Sequence, residues 1–565
     1  MVMNTLIGGG EHAEKPAAHE AHDEKQLMQK PVEAEEERDS IFAFIGELCT
    51  RYSTYFYGVL WILYTAYFIA SLALKKVTDL TNLLPFILLY AFITLKYISS
   101  IFSFTPIANA IGSVWTTFVS SPLENVSRKI RLGVYFCAVF VAFLVVALAL
   151  PTSEYGSRMN RLQSLLGIII IVLLLAATSR SRNRIQWTTV FTGLLLQLLL
   201  GLFVLKTTAG QELFKWIANV ASGFLGFSSA GLQFLFGQNI SGSFATSVFP
   251  AIIFFVSFIQ MVYYLGGMQW LVGKLSWFFT KVMNTSGAES VVASASPFVG
   301  QGESAVLVAN YVDYMTASEL HATMASGFST ISGSVLAGYL SMGANISYLL
   351  TSCIMSIPCS LALSKLRYPE MGEPLTRGRM VVPDKEKTDV NLLHAAGNGA
   401  ALGMTLVLLI AASLIAIVSL LAFVNYMLTW FGNFVGITDL TLNLILGYVL
   451  YPFAWLLGVS GNKQLLKVAY LLATKIVANE FVAYADLYDA TSGPSIYSIL
   501  TPRNQIIVQF ALCGFANLAS IGVQIGAIGA IAPSRKKDLV KLAFSAMITG
   551  ATATCVSATI AAILI

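Results

Sequence analysis

The feature that most limits how this chain can fold is a long series of apolar runs. A helix needs about 20 mainly apolar residues to cross a bilayer, and the chain offers about eleven runs near that length. They lie at about 53–75, 82–104, 131–151, 164–179, 186–206, 243–266, 322–343, 346–366, 399–428, 505–532 and 538–562. Because a spanning helix satisfies all of its backbone hydrogen bonds internally, these runs predict an all-α polytopic membrane protein.

The overall composition agrees with a chain embedded in lipid. Hydrophobic residues make up 56% and charged residues 11%, and the mean hydropathy is +0.72. A typical soluble domain carries about 25% charged residues. The net charge of +5 does not indicate a nucleic-acid partner, since acidic and basic residues occupy separate parts of the chain. The lipid bilayer is the partner that this composition predicts.

Positive charges in the loops predict the orientation. Cytoplasmic loops collect Lys and Arg near helix ends, and every strongly basic loop falls on one side if the N-terminus is cytoplasmic. These loops carry Arg128, Lys129 and Arg131; Arg180, Arg182 and Arg184; Lys365, Arg367, Arg377 and Arg379; and Arg535, Lys536, Lys537 and Lys541. The same orientation places the C-terminus outside the cell.

The chain divides into three parts by composition. Residues 1–40 are too polar to bury a core, so we expect a disordered cytoplasmic tail. Residues 41–160 are expected to form three N-terminal transmembrane helices, and residues 161–565 the functional core. No apolar run with a cleavage site opens the chain, so the first spanning helix is expected to direct insertion.

One interrupted segment places polar side chains where lipid tolerates them least. Ser296–Ser304 contains Gln301 and Glu303 between two apolar arms that are each too short to cross a bilayer. Broken backbone at membrane depth is tolerated only where it faces protein or a water-filled cavity. We therefore expect a re-entrant helical hairpin, the first hairpin, at about 287–312.

A second interrupted segment repeats this arrangement. Asn479–Tyr484 places Glu480 after a short apolar run, which predicts a second hairpin at about 443–490. About thirty residues beyond each Phe-Val pair comes a small-residue segment, Gly327–Gly333 in one half and Gly514–Ser520 in the other. Paired interruptions at corresponding places indicate an inverted repeat with a substrate site at its interface, as in secondary transporters.

Two further stretches are amphipathic and rich in Trp, Phe and Lys. Gln211–Phe224 and Met268–Val282 are predicted to lie in the membrane interface, with Trp216, Trp270 and Trp277 at headgroup depth.

From about Leu165 to the end, the motifs of the chain resemble those of the concentrative nucleoside transporters. The resemblance rests on several motifs that occur in order: Val299-Gly300-Gln301-x-Glu303-Ser304, Ser318–His321 with Gly327–Leu336, Ala473-x-Lys475 with Asn479–Tyr484, Ala511–Ser520, and Ala532–Lys536. The three additional N-terminal helices are similar to those of the eukaryotic branch.

This resemblance implies a homotrimer in the plasma membrane whose protomers each import nucleosides. A scaffold would hold the trimer, while the two hairpins and the two unwound helices move past it as one body, in an elevator-like alternating-access mechanism. The residues that correspond to the family's nucleoside site are Gln301, Gly302, Glu303, Glu480, Phe515, Asn517 and Ser520. Such carboxylates and amides can hydrogen-bond ribose hydroxyls and the polar edge of a base.

Two glycines at the tip of the first hairpin bear on selectivity. Pyrimidine-restricted members of the family tend to carry Ser at the position of Gly300, and most members carry Thr or Ser at the position of Gly302. The smaller residues here predict a site that admits purine and pyrimidine nucleosides.

The coupling ion is where the chain departs from sodium-coupled members of the family. In those members an Asn at the position of Ser296 gives its side-chain oxygen to Na⁺. Backbone oxygens at the positions of Val299, Thr330 and Ile331 complete the site. A hydroxyl is a weaker ligand for a hard cation that needs several oxygens, so we expect proton coupling through Glu303, with sodium coupling as the alternative. No other cofactor is expected.

Other functions stay open from the residues alone. A passive channel, or a transporter of another small metabolite, would show the same hydrophobic pattern. Glu480 has a structural alternative, a buried ion pair with Lys475. An enzyme is not expected, because neither metal-ligand nor Ser/His/Asp spacing accompanies the two glutamates.

Overall fold

The computed structural model describes residues 53–74, several positions between 87 and 98, and residues 127–565 apart from 153–155, 238–243, 378–388, 439 and 492. It separates into two units, Met1–Val126 and Ser127–Ile565. The predicted tail, 1–40, and most of the predicted crossing at 82–104 lie outside the described residues.

The described part of the first unit contains one long helix, α1 (Ser53–Leu74). Aromatic and polar contacts join it to positions in the 87–98 segment. The indole of Trp61 donates to the hydroxyl of Thr94 at 3.0 Å, and the rings of Phe68 and Tyr90 stack with centroids 4.7 Å apart.

The second unit is helical through its described length, which confirms the predicted fold class. Its helices are α2 (Arg128–Ala149), α3 (Arg158–Ala177), α4 (Trp187–Lys206), α5 (Thr208–Gly226), α6 (Ser228–Phe236), α7 (Phe244–Tyr264), α8 (Gly267–Met283), α9 (Gly287–Val299), α10 (Ala309–Val312), α11 (Ala317–Ser329), α12 (Gly333–Ser341), α13 (Ile346–Arg367), α14 (Leu392–Asn433), α15 (Leu442–Leu456), α16 (Asn462–Val477), α17 (Glu480–Tyr488), α18 (Ile496–Ile499), α19 (Pro502–Leu512), α20 (Leu518–Ile531) and α21 (Lys536–Leu564). Three-residue 3₁₀ turns precede α4 and α21, and a longer one, Glu303–Val308, precedes α10.

Among the described residues, six helices are long and apolar enough to cross a membrane: α2, α3, α4, α13, α14 and α21. Helices α7 and α8 together make a seventh candidate, but they are bent by 80° at the break between them. That bend supports the prediction that α8 lies in the interface. Trp270 and Trp277 on α8 are 47% and 52% exposed, as interfacial anchors would be.

Two runs that we predicted as crossings are broken, as the resemblance implied for the two unwound helices. The run at 322–343 contains α11 and α12, separated at Thr330–Ser332, and the run at 505–532 contains α19 and α20, separated at Cys513–Asn517. Gly514 has a φ of 149°, which side-chain-bearing residues rarely adopt. The two breaks meet, because the N–H of Phe515 donates to the carbonyl of Thr330 at 3.3 Å.

The order of elements repeats along the second unit. The first series contains, in order, a long helix (α7), a shorter helix (α8), a hairpin (α9 to α10), a broken helix (α11 and α12) and α13. The second series contains the corresponding elements in the same order: α14, α15, α16 with α17, α19 with α20, and α21. Helices α9 and α10, with the 3₁₀ turn between them, occupy the range predicted for the first hairpin, about 287–312; that these helices re-enter the membrane stays a prediction. The range predicted for the second hairpin, about 443–490, also contains α15, which the structure shows as a separate helix. Gly458 and Gly461, with φ values of 91° and 87°, turn the chain between α15 and α16.

The base of the first hairpin is held by a buried ion pair. Ser286 and Glu289 form a capping box at the start of α9. The second carboxylate oxygen of Glu289 lies 2.7 Å from the ammonium of Lys365 on α13, and Glu370 lies 3.1 Å from the same ammonium. These contacts join the start of the first hairpin to α13 and the residues just after it.

Two fully buried arginines join distant helices, and neither forms an ion pair with an Asp or Glu side chain among the described residues. Arg161 on α3 donates to the carbonyls of Leu150 at 2.7 Å and Ile565 at 3.2 Å. Arg503 on α19 donates to the carbonyls of Ala562 and Asn160. Several of these carbonyls lie at helix ends, where the partial negative charge of the helix favours a cation.

We predict that Gly167→Ala destabilises the protein. A Cβ at Gly167, on α3, would lie 1.9 Å from the carbonyl oxygen of Leu456, at the end of α15. Overpacking of this kind costs about 1–3 kcal/mol. The melting temperature of the detergent-purified protein should fall measurably. Gly223→Ala on α5 is the matched control, because a Cβ there meets nothing within 4 Å; equal melting temperatures for the two variants would contradict the close contact between α3 and α15.

Candidate substrate-binding site

A cavity in the second unit lies between two walls of different chemistry. The polar wall comes from the hairpins and broken helices, and the apolar wall comes from α7 and α14. The polar wall contains Gly300, Gln301, Ser332, Ser334, Asn479, Glu480, Asn517 and Ser520, with Val299, Val335, Phe481, Phe515, Ala519 and Val523 among them. The apolar wall contains Ile252, Leu406, Leu409, Ile410 and Leu414.

The carboxylate of Glu480 is the most polar group of this cavity. It is the first residue of α17, so the positive end of the helix faces it. One carboxylate oxygen accepts a hydrogen bond from the hydroxyl of Tyr339 at 3.1 Å, and the other accepts from the amide of Asn517 at 2.8 Å. Glu480 is only 2% exposed, so these two donors hold it in a defined position.

Both the oxygen and the NH₂ group of the Asn517 side chain are hydrogen-bonded. Its oxygen accepts from the backbone N–H of Ser520 at 2.8 Å, which makes it the N-cap of α20. Its NH₂ group therefore points to Glu480. Phe515, two residues earlier, lines the same cavity.

Lys475 does not pair with Glu480. Its ammonium donates to the carbonyl of Ala511 at 2.7 Å and to the hydroxyl of Thr554 at 3.1 Å. No ion pair between Lys475 and Glu480 occurs among the described residues. The structural alternative for Glu480 is therefore wrong.

At the tip of the first hairpin, Gln301 presents an unsatisfied acceptor. Its side-chain oxygen is buried and has no hydrogen-bond partner among the described residues. Its backbone carbonyl accepts from the amide of Gln524 on α20 at 3.2 Å, and the same amide donates to the carbonyl of Met324 at 3.3 Å. Because buried polar groups are normally paired, the free oxygen of Gln301 suits a ligand with an N–H or O–H donor.

The neighbouring residues of the tip differ in their placement. Gly300 has a φ of 127°, so a side chain there would strain the backbone. Gly302 is not among the residues that line the cavity. A Cβ at Gly302 would lie 2.4 Å from the Cβ of Ala527 on α20, so the missing side chain allows a close helix approach. Glu303 begins the 3₁₀ turn, but its side chain lies outside the described residues.

Apart from Glu303, the expected coupling residues occupy neighbouring elements. Ser296 is fully buried on α9, and its hydroxyl donates to the carbonyl of Val292 at 2.9 Å and lies 3.2 Å from the hydroxyl of Ser304. Val299 lines the cavity. Thr330 and Ile331 are buried in the break between α11 and α12.

Sequence reasoning did not identify several residues of the cavity and its support: Ser332, Ser334, Tyr339, Asn479 and Gln524. The helical period of the sequence indicates that two of these residues, Tyr339 and Gln524, share a helix face with a polar residue of the site. Tyr339 follows Ser332 by seven residues, and Gln524 follows Asn517 by seven, so each pair lies on one face of its helix. The helical period identifies the helix face on which Tyr339 and Gln524 lie. Their hydrogen-bond partners in the other half of the repeat are seen only in the structure.

Comparison with known proteins identifies the family. The family model described as "Na+ dependent nucleoside transporter N-terminus" matches residues 166–239, "Nucleoside recognition" matches 245–345, and "Na+ dependent nucleoside transporter C-terminus" matches 348–562. Solute carrier family 28 member 3 of Rattus norvegicus is 40% identical over 441 residues, which are 76% of this chain and 62% of that protein. The chain thus spans less than two thirds of the length of that relative. Sodium/nucleoside cotransporter 1 of Oryctolagus cuniculus is 35% identical over 530 residues, which are 91% of this chain and 78% of that protein.

A solved structure agrees with the sequence matches. The structure of CNTnw in an inward-facing substrate-bound state has a TM-score of 0.68 and 34% identity, and the match covers 72% of this chain and 98% of that one. Three consecutive family models, relatives over most of the chain and a common fold lead to one conclusion, which confirms the resemblance seen in the motifs. The chain belongs to the concentrative nucleoside transporter family, a family of multi-pass membrane proteins that are not enzymes.

Proposed function

We propose that the protein is a sodium-coupled symporter that imports purine and pyrimidine nucleosides. The observation that carries this proposal is the buried carboxylate of Glu480, positioned by Tyr339 and Asn517 at the wall of a cavity. A carboxylate has about four lone-pair sites, and the structure occupies two of them. Two sites stay available for the vicinal hydroxyls of a ribose.

The other end of a nucleoside would meet the first hairpin. The free side-chain oxygen of Gln301 is an acceptor for an N–H of a base, and Phe515 offers an aromatic face nearby. A site that hydrogen-bonds hydroxyls discriminates strongly against analogues that lack them, because its buried groups are then left unpaired. Deoxynucleosides should therefore be poorer substrates than ribonucleosides.

The chemistry of the two walls favours movement of the substrate with the hairpins. The described lining residues of α7 and α14 are all aliphatic, so none of them can hydrogen-bond a nucleoside. The substrate would stay attached to the polar wall while that wall slides past α7 and α14. This is the elevator-like mechanism expected from the family, within a homotrimer in the plasma membrane that has its N-terminus inside and C-terminus outside.

Sodium is the coupling ion that the relatives favour. Two of the matching family models are described as Na⁺ dependent, and a cotransporter with 35% identity is named for sodium. The proton coupling that we predicted from Ser296 has no support among them. The hydroxyl hydrogen of Ser296 is directed at Val292 or Ser304, which leaves oxygen lone pairs for a cation, and the backbone oxygens at Val299, Thr330 and Ile331 supply the other ligands.

One prediction for transport concerns Glu480 and Tyr339, whose hydroxyl donates to the Glu480 carboxylate. Glu480→Gln should reduce uridine and adenosine uptake about tenfold or more, because a charge-assisted hydrogen bond to the ribose is lost. Tyr339→Phe removes one donor from the carboxylate and should raise KM more than it lowers the maximal rate. Tyr426→Phe, at an exposed position of α14, is the matched control. Uptake is measured per surface-expressed protein; near-normal uptake by Glu480→Gln would remove Glu480 from the site.

Another prediction for transport distinguishes sodium from the proton as the coupling ion. Uptake of labelled uridine against its gradient should require sodium at external pH 7.5 and at pH 5.5, and replacement by choline should abolish it. Ser296→Ala should raise the sodium concentration needed for half-maximal uptake, and Ser296→Asn should lower it. Ser294→Ala, two residues earlier on the same buried helix, is the control.

Other outcomes of this experiment identify the alternatives. Uptake in choline that rises between pH 7.5 and 5.5 would restore proton coupling. Equilibration without accumulation above the external concentration would indicate a passive channel.

A further inference from the structure

An apolar groove lies on the second unit, far in sequence from the hairpins. It is enclosed by α2, α3 and α4 and has a volume of about 430 Å³. Its lining residues are Leu132, Gly133, Phe136, Val139, Phe140 and Phe143 on α2, Leu165, Ile168, Ile169, Val172 and Leu173 on α3, and Trp187, Phe191 and Leu194 on α4. None of these side chains carries a charge.

A polar pocket adjoins the groove at one end. Leu132 and Trp187 line both cavities, so the two spaces are adjacent. The polar pocket has a volume of about 270 Å³ and also contains Ile185, Gln186, Thr188, Asn284 and Arg377. An elongated ligand with an apolar tail and a polar head would fit the pair of cavities.

The polar pocket is electropositive for two independent reasons. It lies at the N-terminus of α4, where the N-cap, Gln186, makes no side-chain hydrogen bond to the first turn. The first-turn N–H groups are thus available to an anion. Arg377 contributes a guanidinium at an exposed position and has no carboxylate partner among the described residues.

Further charges surround the pocket. Arg182 and Arg184 are exposed in the turn before α4, and neither is in an ion pair within the described part of the chain. Arg184 donates to the carbonyl of Met371 at 3.3 Å, which holds the segment leading to Arg377 against this turn. Glu373 is exposed on the same segment and offsets one of the three positive charges.

The length of the groove matches one leaflet of a bilayer. Leu132 and Phe143 are eleven residues apart on α2, which corresponds to about 16 Å at 1.5 Å per residue. One leaflet is about half of a hydrocarbon core of about 30 Å. The basic residues at its mouth belong to the loops that the charge pattern places on the cytoplasmic side, where anionic lipids are concentrated.

We propose that this pair of cavities is a binding site for an anionic glycerophospholipid. One acyl chain occupies the apolar groove, and the phosphate lies between the N-terminus of α4 and Arg377. The site is independent of the proposed nucleoside site, because the two share no lining residue.

The proposal is tested by native mass spectrometry of the purified protein with added lipids. Dioleoyl phosphatidylglycerol and dioleoyl phosphatidylcholine have the same chains, so the ratio of their affinities reports on the headgroup. The wild-type protein should prefer the anionic lipid by about tenfold, the size of one charge-assisted contact. Arg377→Gln should remove that preference and leave phosphatidylcholine binding unchanged. Lys215→Gln, at an exposed position on α5, should keep it.

A second variant tests the groove itself. Gly133→Leu places a side chain into the groove, where a Cβ meets nothing within 4 Å, and should weaken binding of both lipids about tenfold or more. Gly273→Leu on α8 adds the same side chain where a Cβ also meets nothing within 4 Å, and should bind both lipids like the wild type.

Three results would overturn the proposal. Equal affinities for the two lipids would exclude a headgroup site. Undiminished binding by Gly133→Leu would place the lipid elsewhere. Loss of thermal stability in Gly133→Leu, without any lipid binding by the wild type, would show that a protein segment fills the groove, either from the N-terminal residues or from a second copy.

Discussion

The site depends on one constraint of the membrane interior, which is that broken helix ends must find hydrogen-bond partners without water. In the described residues around the cavity, the two hairpins and the two broken helices interrupt the helical backbone, and polar side chains that line the cavity satisfy some of the free ends. Asn479 accepts from the N–H of Val482, and Asn517 accepts from the N–H of Ser520. The breaks at Thr330 and Phe515 also bond to each other. Capping and binding are therefore performed by the same small set of side chains.

Reciprocal contacts between the two repeats give this set its geometry. Tyr339, on the broken helix of the first repeat, donates to Glu480 of the second hairpin. Gln524, on the broken helix of the second repeat, donates to the backbone of Gln301 in the first hairpin. Each hairpin is thus held by the opposite repeat. The two bonds cross-link each hairpin to the broken helix of the other repeat.

The sequence predicted the parts of this arrangement that depend on local pattern. Charged and amide side chains between short apolar arms located both hairpins, and the motifs located Gln301, Glu480, Asn517 and Ser520. The contacts of Tyr339 and Gln524 could not be predicted, since they join residues 141 and 223 positions apart. The breaks inside two apolar runs were implied only by the family resemblance, because a hydropathy average does not register small residues such as Gly514. Ser296 shows that the Asn ligand of sodium-coupled members is replaced by a serine. One side chain does not determine which ion the other expected oxygen ligands of the site bind.

The buried arginines bear on how the chain enters the membrane during synthesis. Arg161 hydrogen-bonds to a carbonyl 404 residues later in the chain, and Arg503 bonds to the same last helix, α21. An unpaired charge at the centre of a spanning helix costs about 2.5–3.5 kcal/mol at insertion. Arg161 lies in the first turn of α3, where the cost is smaller, and its acceptors in Leu150 and Pro151 are only 11 and 10 residues away in the chain. Its acceptor at Ile565 is supplied by α21, so the hydrogen bonds of this side chain are complete only when α3 and α21 are packed together.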